Sequence, residues 1–251
     1  MSVVDRLLAQ ASALARPAVS GFRVGAVTKG ASGRLYLGAN LEFPGHGLAA
    51  TVHAEQAAIA NAWANGETGV QVLAVTAAPC GYCRQFLYEL RSGGGLKIAV
   101  GTSLYKLSTL LPRAFGPGDL GVQVRLMEDA GQHNLSFASP APVDNLGLAA
   151  FGAANTSYAP YTGTYGGVAL ELDDGSVYTG RTIENAAYNP GLPPLQGALV
   201  ALAMDGKPFA AIQRAALAEA TGQASHHDAT VSVLSSLAPA AGFTYLPLVA
   251  L

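Results

Sequence analysis

Five residues recur at one fixed distance along this 251-residue chain. Gly25 and Gly167, Gly33 and Gly175, Tyr36 and Tyr178, Gly38 and Gly180, and Glu42 and Glu184 each stand 142 positions apart, and Val70-Gln71 meets Ile212-Gln213 at the same offset. A constant offset of this kind marks a duplicated fold, because two copies of one chain path keep their turns and close contacts in register. Residues 128–144 are rich in Ala, Pro, Ser and Asp and show little periodicity, so they read as a linker. The expected layout is a first domain over residues 1–127, the linker, and a second domain over residues 145–251.

Helical and strand patterns alternate within the first copy, which makes the fold class α/β. Leu7, Leu8, Ala11, Leu14 and Ala15 recur at helical spacing, and Pro17 closes that helix. Strands are expected over residues 22–27 and 35–42 around a glycine turn, followed by a helix over 53–63 and a buried strand over Val70–Val75. Pro79 can open the next helix. A strand at 96–100, a helix near 105–111 and a further strand at 122–126 complete the copy.

Two short stretches in this frame carry chemistry: Thr51-Val52-His53-Ala54-Glu55 and Ala78-Pro79-Cys80-Gly81-Tyr82-Cys83. Each alone is weak, since a lone C-x-x-C is as often a redox pair or part of a structural metal site. Together, His53, Cys80 and Cys83 supply three soft ligands, one fewer than a closed structural zinc site takes. Both cysteines of the chain are in this set, and both groups open predicted helices, whose N-terminal N–H groups and dipole favour thiolates. Glu55 follows the histidine by two residues and sets a carboxylate beside the open position. A metal with an open site acidifies water, and a neighbouring carboxylate can shuttle the protons. One zinc per chain is expected, because no cysteine follows Cys83. Allowing one extra loop residue, Gln196 and Ala198 stand where the second copy would need its His53 and Glu55, so that copy is expected to be inert.

The pairing of H-x-E with P-C-x-x-C is the general signature of zinc deaminases. Phe22-Arg23-Val24-Gly25-Ala26, Gly38-Ala39-Asn40-Leu41-Glu42-Phe43, Val52-His53-Ala54-Glu55-Gln56 and Cys83-Arg84-Gln85-Phe86 resemble the cytidine deaminase family. Leu111-Pro112-Arg113-Ala114-Phe115-Gly116-Pro117 and Leu192-Pro193-Pro194-Leu195-Gln196-Gly197-Ala198 resemble its long, two-domain, homodimeric branch. The resemblance implies a duplicated three-layer α/β/α fold with a mixed sheet in each domain. It also implies hydrolytic deamination of cytidine and 2′-deoxycytidine. It puts Asn40 and Glu42 on the ribose hydroxyls, Phe22 in the nucleoside pocket, the Ala54 N–H near the base carbonyl, and Phe115 in the partner's pocket. Read without the family, Asn40 and Glu42 are a polar strand edge, Phe22 is core, and Phe115 anchors a loop. Arg84 either bonds a thiolate or makes a surface ion pair. Relatives carry a longer helical segment before the first domain, expected to be missing here. Two rivals stay open: a deaminase of a modified cytosine nucleoside or nucleoside antibiotic, and a zinc-binding scaffold without turnover.

Composition narrows the partners. A net charge of −2 argues against a polynucleotide, whose binding rests on Lys and Arg neutralising phosphates. Only 12% of residues are charged against 50% hydrophobic, which fits a surface partly covered by a second subunit or an excess of buried small residues. No apolar run of about 18 residues is present to span a membrane. The N-terminus carries Asp5 and Arg6 and does not read as a signal peptide. Two closely spaced cysteines fit a reducing cytoplasm rather than a disulfide framework.

Overall fold

The computed structural model describes residues 2–128, 132–139 and 144–251. These divide into two compact units: the first holds the residues up to 128 together with Asn185–Gly191, and the second holds the remainder.

In the first unit, helix α1 (Val3–Ala13) opens on a reciprocal cap between Ser2 and Asp5. Strands β1 (Gly25–Gly30) and β2 (Leu35–Ala39) form a hairpin, followed by α2 (Ala54–Ala64), β3 (Val70–Val75), α3 (Gly81–Tyr88), β4 (Lys97–Val100), β5 (Ser103–Lys106) and the single turn α4 (Leu107–Leu110). The sheet order is β2-β1-β3-β4-β5, with β3 parallel to β4 and all other pairs antiparallel. This is a mixed sheet.

Two glycines show how the layers stack. A Cβ on Gly25 would lie 2.5 Å from the Ser12 nitrogen of α1, and one on Gly38 would lie 2.2 Å from the Ala58 nitrogen of α2. Gly38 pairs with Ala26, the residue after Gly25, and successive strand residues face opposite sides. The two helices therefore cover opposite faces of one sheet, approaching closely enough that only hydrogen fits at each contact. The result is an α/β/α sandwich.

The second unit comprises β6 (Leu135–Phe137), α5 (Asn145–Asn155), β7 (Gly166–Leu172), β8 (Val177–Arg181), α6 (Pro194–Met204), β9 (Ile212–Ala220), α7 (His227–Leu237) and β10 (Gly242–Ala250). Its sheet runs β6-β10-β9-β7-β8, with β9 parallel to β10. Gly167 and Gly180 repeat the glycine contacts: a Cβ on each would collide with backbone of α5 and α6 respectively. The duplication read at offset 142 is thus a duplication of helix–sheet contacts. The copies differ at the outer edge. In the first unit the fifth strand, β5, follows β4 in the chain, whereas in the second it is β6, which precedes everything else.

Several expectations shift. The first strand starts at Gly25, not at residue 22, because Phe22 O and Val24 N bond the Asn40 side chain instead of a neighbouring strand. Residues 122–126 form no strand; Leu126 makes an isolated bridge to Leu90. The fifth strand of the sheet is instead β5, whose four residues are all exposed. Within the expected linker, residues 129–131 and 140–143 lie outside the described residues, while β6 pairs with β10. The buried carboxylate Glu67 is satisfied locally by the Ser32 hydroxyl and N–H and by the Tyr36 hydroxyl. Those bonds, from Ser32 first, hold it below the usual carboxylate range, and it acts as a brace for the β1–β2 hairpin. Among the described residues no helix is long and apolar enough to cross a membrane.

Candidate active site

His53 and Cys80 occupy equivalent positions at the ends of two helices: His53 caps α2 and Cys80 caps α3. Cys83 lies in the first turn of α3, fully buried. The Cys80 and Cys83 sulfurs are 3.7 Å apart, and the His53 Nδ1 is 3.6 Å and 3.2 Å from them. A tetrahedral zinc with bonds of about 2.3 Å to sulfur and about 2.0–2.1 Å to nitrogen needs edges of roughly 3.7–3.8 Å and 3.5–3.6 Å. Two of the three edges match and the third is slightly short, so the donor set fits zinc. It is the one cluster of metal-ligating side chains found among the described residues.

The two thiols are coupled through one hydrogen bond. A hydrogen bond from Cys83, the N–H groups of Cys83 and Tyr82, and nearby His53 hold Cys80 down at about 5 against the cost of burial. Cys83 is pushed far up by its bond to Cys80, by burial and by the charge of Glu55. A divalent cation at this point replaces the proton of that bond and favours both thiolates. Glu55 is 4% exposed, and burial pushes its carboxyl up despite hydrogen bonding that favours the charged form. A carboxylate poised in this way accepts a proton readily. Arg84 bonds neither thiolate nor acid: its guanidinium donates to the Pro79 and Leu110 carbonyls, fixing the turn that delivers Cys80.

A cavity of about 270 Å³ opens over these groups, lined by His53, Ala54, Glu55 and Cys80 on one side and by Phe22, Asn40 and Glu42 on another. Phe22 is 61% exposed, so it is not core. Ala54 is the first residue of α2, where a backbone N–H has no partner within the helix. Asn40 holds residues 22–24, and Glu42 accepts from the Val19 and Ser20 N–H groups and the Ser20 hydroxyl. Burial raises the Glu42 carboxyl, but those bonds outweigh it and keep it below the usual range. Phe115 is 45% exposed and is not among the residues lining this cavity. Ser20 joins the site with no signal in the sequence beyond its place in a loop before β1.

The second unit clarifies which of these features serve chemistry. Glu184 accepts from the Tyr161 and Thr162 N–H groups and the Thr162 hydroxyl, the same clamp at the same offset. That bonding pattern is a property of the duplicated fold. The rest of the pocket is gone. Pro194 O and Ala198 N approach Gly180 as Ala54 O and Ala58 N approach Gly38, and the Leu41–Val52 bridge recurs as Ile183–Leu192. The counterparts of His53 and Glu55 are therefore Pro193 and Leu195, not Gln196 and Ala198. The connecting loop is shorter than its counterpart, where a longer one was expected. Proline and leucine offer neither a ligand nor a proton. His226 caps α7 where Cys80 caps α3, and Thr182 replaces Asn40. A Cβ on Gly166 would meet Thr182, His226 and Pro194 within 3.5 Å, so the groups that line a cavity in the first unit pack against one another here.

Three metal-ligating side chains that meet at one point, with a buried carboxylate in the same cavity, fit a zinc-dependent hydrolase. Residues 1–94 and 107–231 each match the family described as "Cytidine and deoxycytidylate deaminase zinc-binding region". The cytidine deaminase of Klebsiella pneumoniae subsp. pneumoniae is 48% identical over 233 residues, spanning 92% of this chain and 78% of that protein. That of Cronobacter sakazakii is 45% identical over 247 residues, spanning 98% and 81%. A crystal structure of cytidine deaminase from Mycobacterium tuberculosis is 35% identical and covers 45% of this chain and 94% of its own, with a TM-score of 0.41. The chain belongs to the cytidine deaminase family.

Proposed function

We infer that this chain is a zinc-dependent enzyme that hydrolyses cytidine, and with it 2′-deoxycytidine, to the corresponding uridine and ammonia. The observation that carries this reading is the buried Glu55 carboxylate beside the His53, Cys80 and Cys83 cluster at the floor of one cavity. Those three residues would hold the zinc, whose chemistry when bound is Lewis acidity toward water. Glu55 takes a proton from the attacking water and places it on N3 of the pyrimidine as the water oxygen adds to C4. It then takes the remaining proton from the added oxygen and delivers it to the exocyclic nitrogen, so that the C4–N bond breaks, ammonia leaves and the C4 oxygen becomes the uracil carbonyl. The Ala54 N–H faces the base carbonyl. Asn40 and Glu42 stand at the ribose hydroxyls while holding the loop that carries Phe22.

The substrate is a nucleoside. Each negative charge of a 5′-phosphate brought to within about 6 Å of Glu42 costs roughly 3 kcal/mol at an effective dielectric of about 20. No lysine or arginine is among the described residues lining the cavity to offset it. With purified protein, cytidine should exceed cytidine 5′-monophosphate in kcat/KM by at least about 10²-fold, the effect of a single phosphate charge, read as loss of absorbance on conversion to the uracil product. Comparable values would overturn the nucleoside reading.

The wider setting is pyrimidine salvage in the cytoplasm, by a homodimer in which Phe115 closes the partner's pocket. What supports the last point is that Phe115 is half-exposed and outside its own chain's cavity. An aromatic face over the base would exclude water from the reacting centre. Glu55→Ala and Phe115→Ala chains bearing different tags are each expected to be crippled alone. In the purified heterodimer one site has every native part, so activity should return to about half that of the native dimer by that count of sites. A heterodimer no more active than the Phe115→Ala parent would remove the cross-subunit role.

A further inference from the structure

Beyond the ligands and the acid, we infer that Tyr82 and Gln56 are positioning residues for the metal centre, both anchored on the Asn185–Gly191 segment of the first unit. This rests on the zinc reading above but is separable from it. The Tyr82 ring lies stacked on the His53 imidazole, with centroids 5.4 Å apart and planes 25° from parallel, and its hydroxyl donates to the Asn189 carbonyl. Gln56 is fully buried. Its Oε1 accepts from the His53 N–H at 3.1 Å, and its Nε2 donates to the Pro190 and Gly191 carbonyls at 3.2 Å and 3.3 Å. The imidazole and the backbone of one ligand are thus held by two side chains, and both side chains end on consecutive carbonyls of one short segment.

The same segment is fastened to the cysteine helix. Asn185 Nδ2 donates to Gln85 O, Gln85 Nε2 donates back to Asn185 Oδ1, and the Ala186 N–H donates to the buried Glu89 carboxylate at 3.0 Å. α2 delivers His53 and α3 delivers both cysteines, and these helices come from different parts of the chain. The segment ties the start of α2 to the length of α3, so it fixes the spacing between imidazole and thiolates. Groups that orient metal ligands through their outer atoms commonly contribute 10- to 100-fold in metal affinity. Tyr82 supplies an orienting contact through its ring face and a register contact through its hydroxyl.

The test measures zinc transfer from the purified holoenzyme to a chromophoric chelator. Tyr82→Phe removes the hydroxyl anchor and keeps the stack; Tyr82→Leu removes both. Zinc release should quicken about 10-fold in the first and further, toward about 100-fold, in the second. Tyr178→Phe, which removes a phenol bonded to Asp205 in the second unit, serves as the control for a lost tyrosine hydroxyl bond and should release zinc at the native rate. Gln56→Ala should also quicken release. If Gln56→Ala or Tyr82→Leu does not fold, Tyr82→Phe alone decides. Native release from Tyr82→Phe, or equal acceleration in Tyr178→Phe, overturns the inference. The native protein's own zinc content and cytidine turnover test the underlying reading independently of these variants.

Discussion

Replacing Glu55 by glutamine leaves one zinc per chain and lowers cytidine turnover by at least about 10²-fold, the low end for a positioned acid–base group. The substitution keeps the side-chain volume, so the buried site need not repack. None of the three ligand atoms is changed, and Glu55 is not part of the cluster that meets around the ion position. The amide cannot accept a proton from water or return one to the departing nitrogen, so both transfers assigned to this residue fail together. Removing its charge also relieves one of the influences that push the Cys83 thiol up, so metal retention should not suffer. Metal analysis and steady-state rates on one preparation separate the two effects. A Glu55→Gln protein with full zinc and a near-native rate would dismiss Glu55 as the proton carrier, whereas loss of zinc with loss of rate would make it a structural residue.

What could be read from the sequence and what could not divide along physical lines. His53, Cys80 and Cys83 stand out because few residue types bind zinc and their spacing is local to two helix starts. The paired glycines stand out because a backbone contact tolerates no other residue, and such positions survive duplication. The helix register in the second copy was not legible. Loop lengths between Glu184 and α6 are unconstrained by pattern, and the contacts of Gly180 with Pro194 and Ala198 and the Ile183–Leu192 bridge show that the loop shortened. Residues 122–126 look like a strand by apolar content, yet the sheet edge is taken by the short, exposed β5. The Asn185–Gly191 segment gives no signal at all in its own sequence. It works through main-chain carbonyls, one N–H and the Asn185 amide, and its partners lie about a hundred residues away.

Replacing Cys80 by alanine empties the metal site and loosens the first unit. Cys80 is one of the three proposed ligands, and its side chain makes no capping hydrogen bond at the start of α3, so the change removes a metal bond and leaves the helix end as it was. Two remaining ligands cannot close the coordination on which structural affinity depends. Because the ligands converge only in the folded chain, metal binding free energy is also folding free energy. For a metal at about 1,000 times its dissociation constant, that contribution is about 4 kcal/mol, equivalent to a melting shift of roughly 10 °C for a unit of this size. The expected result after dialysis is a chain without zinc and without turnover. Its first unit should melt near the temperature of chelator-treated native protein, because both lack the same ion. Pro193 and Leu195 bind nothing, so no second zinc remains to mask the loss. Full zinc content in dialysed Cys80→Ala protein would remove Cys80 from the ligand set. A native melting temperature in the zinc-free chain would show that the ion serves chemistry alone and contributes nothing to the fold.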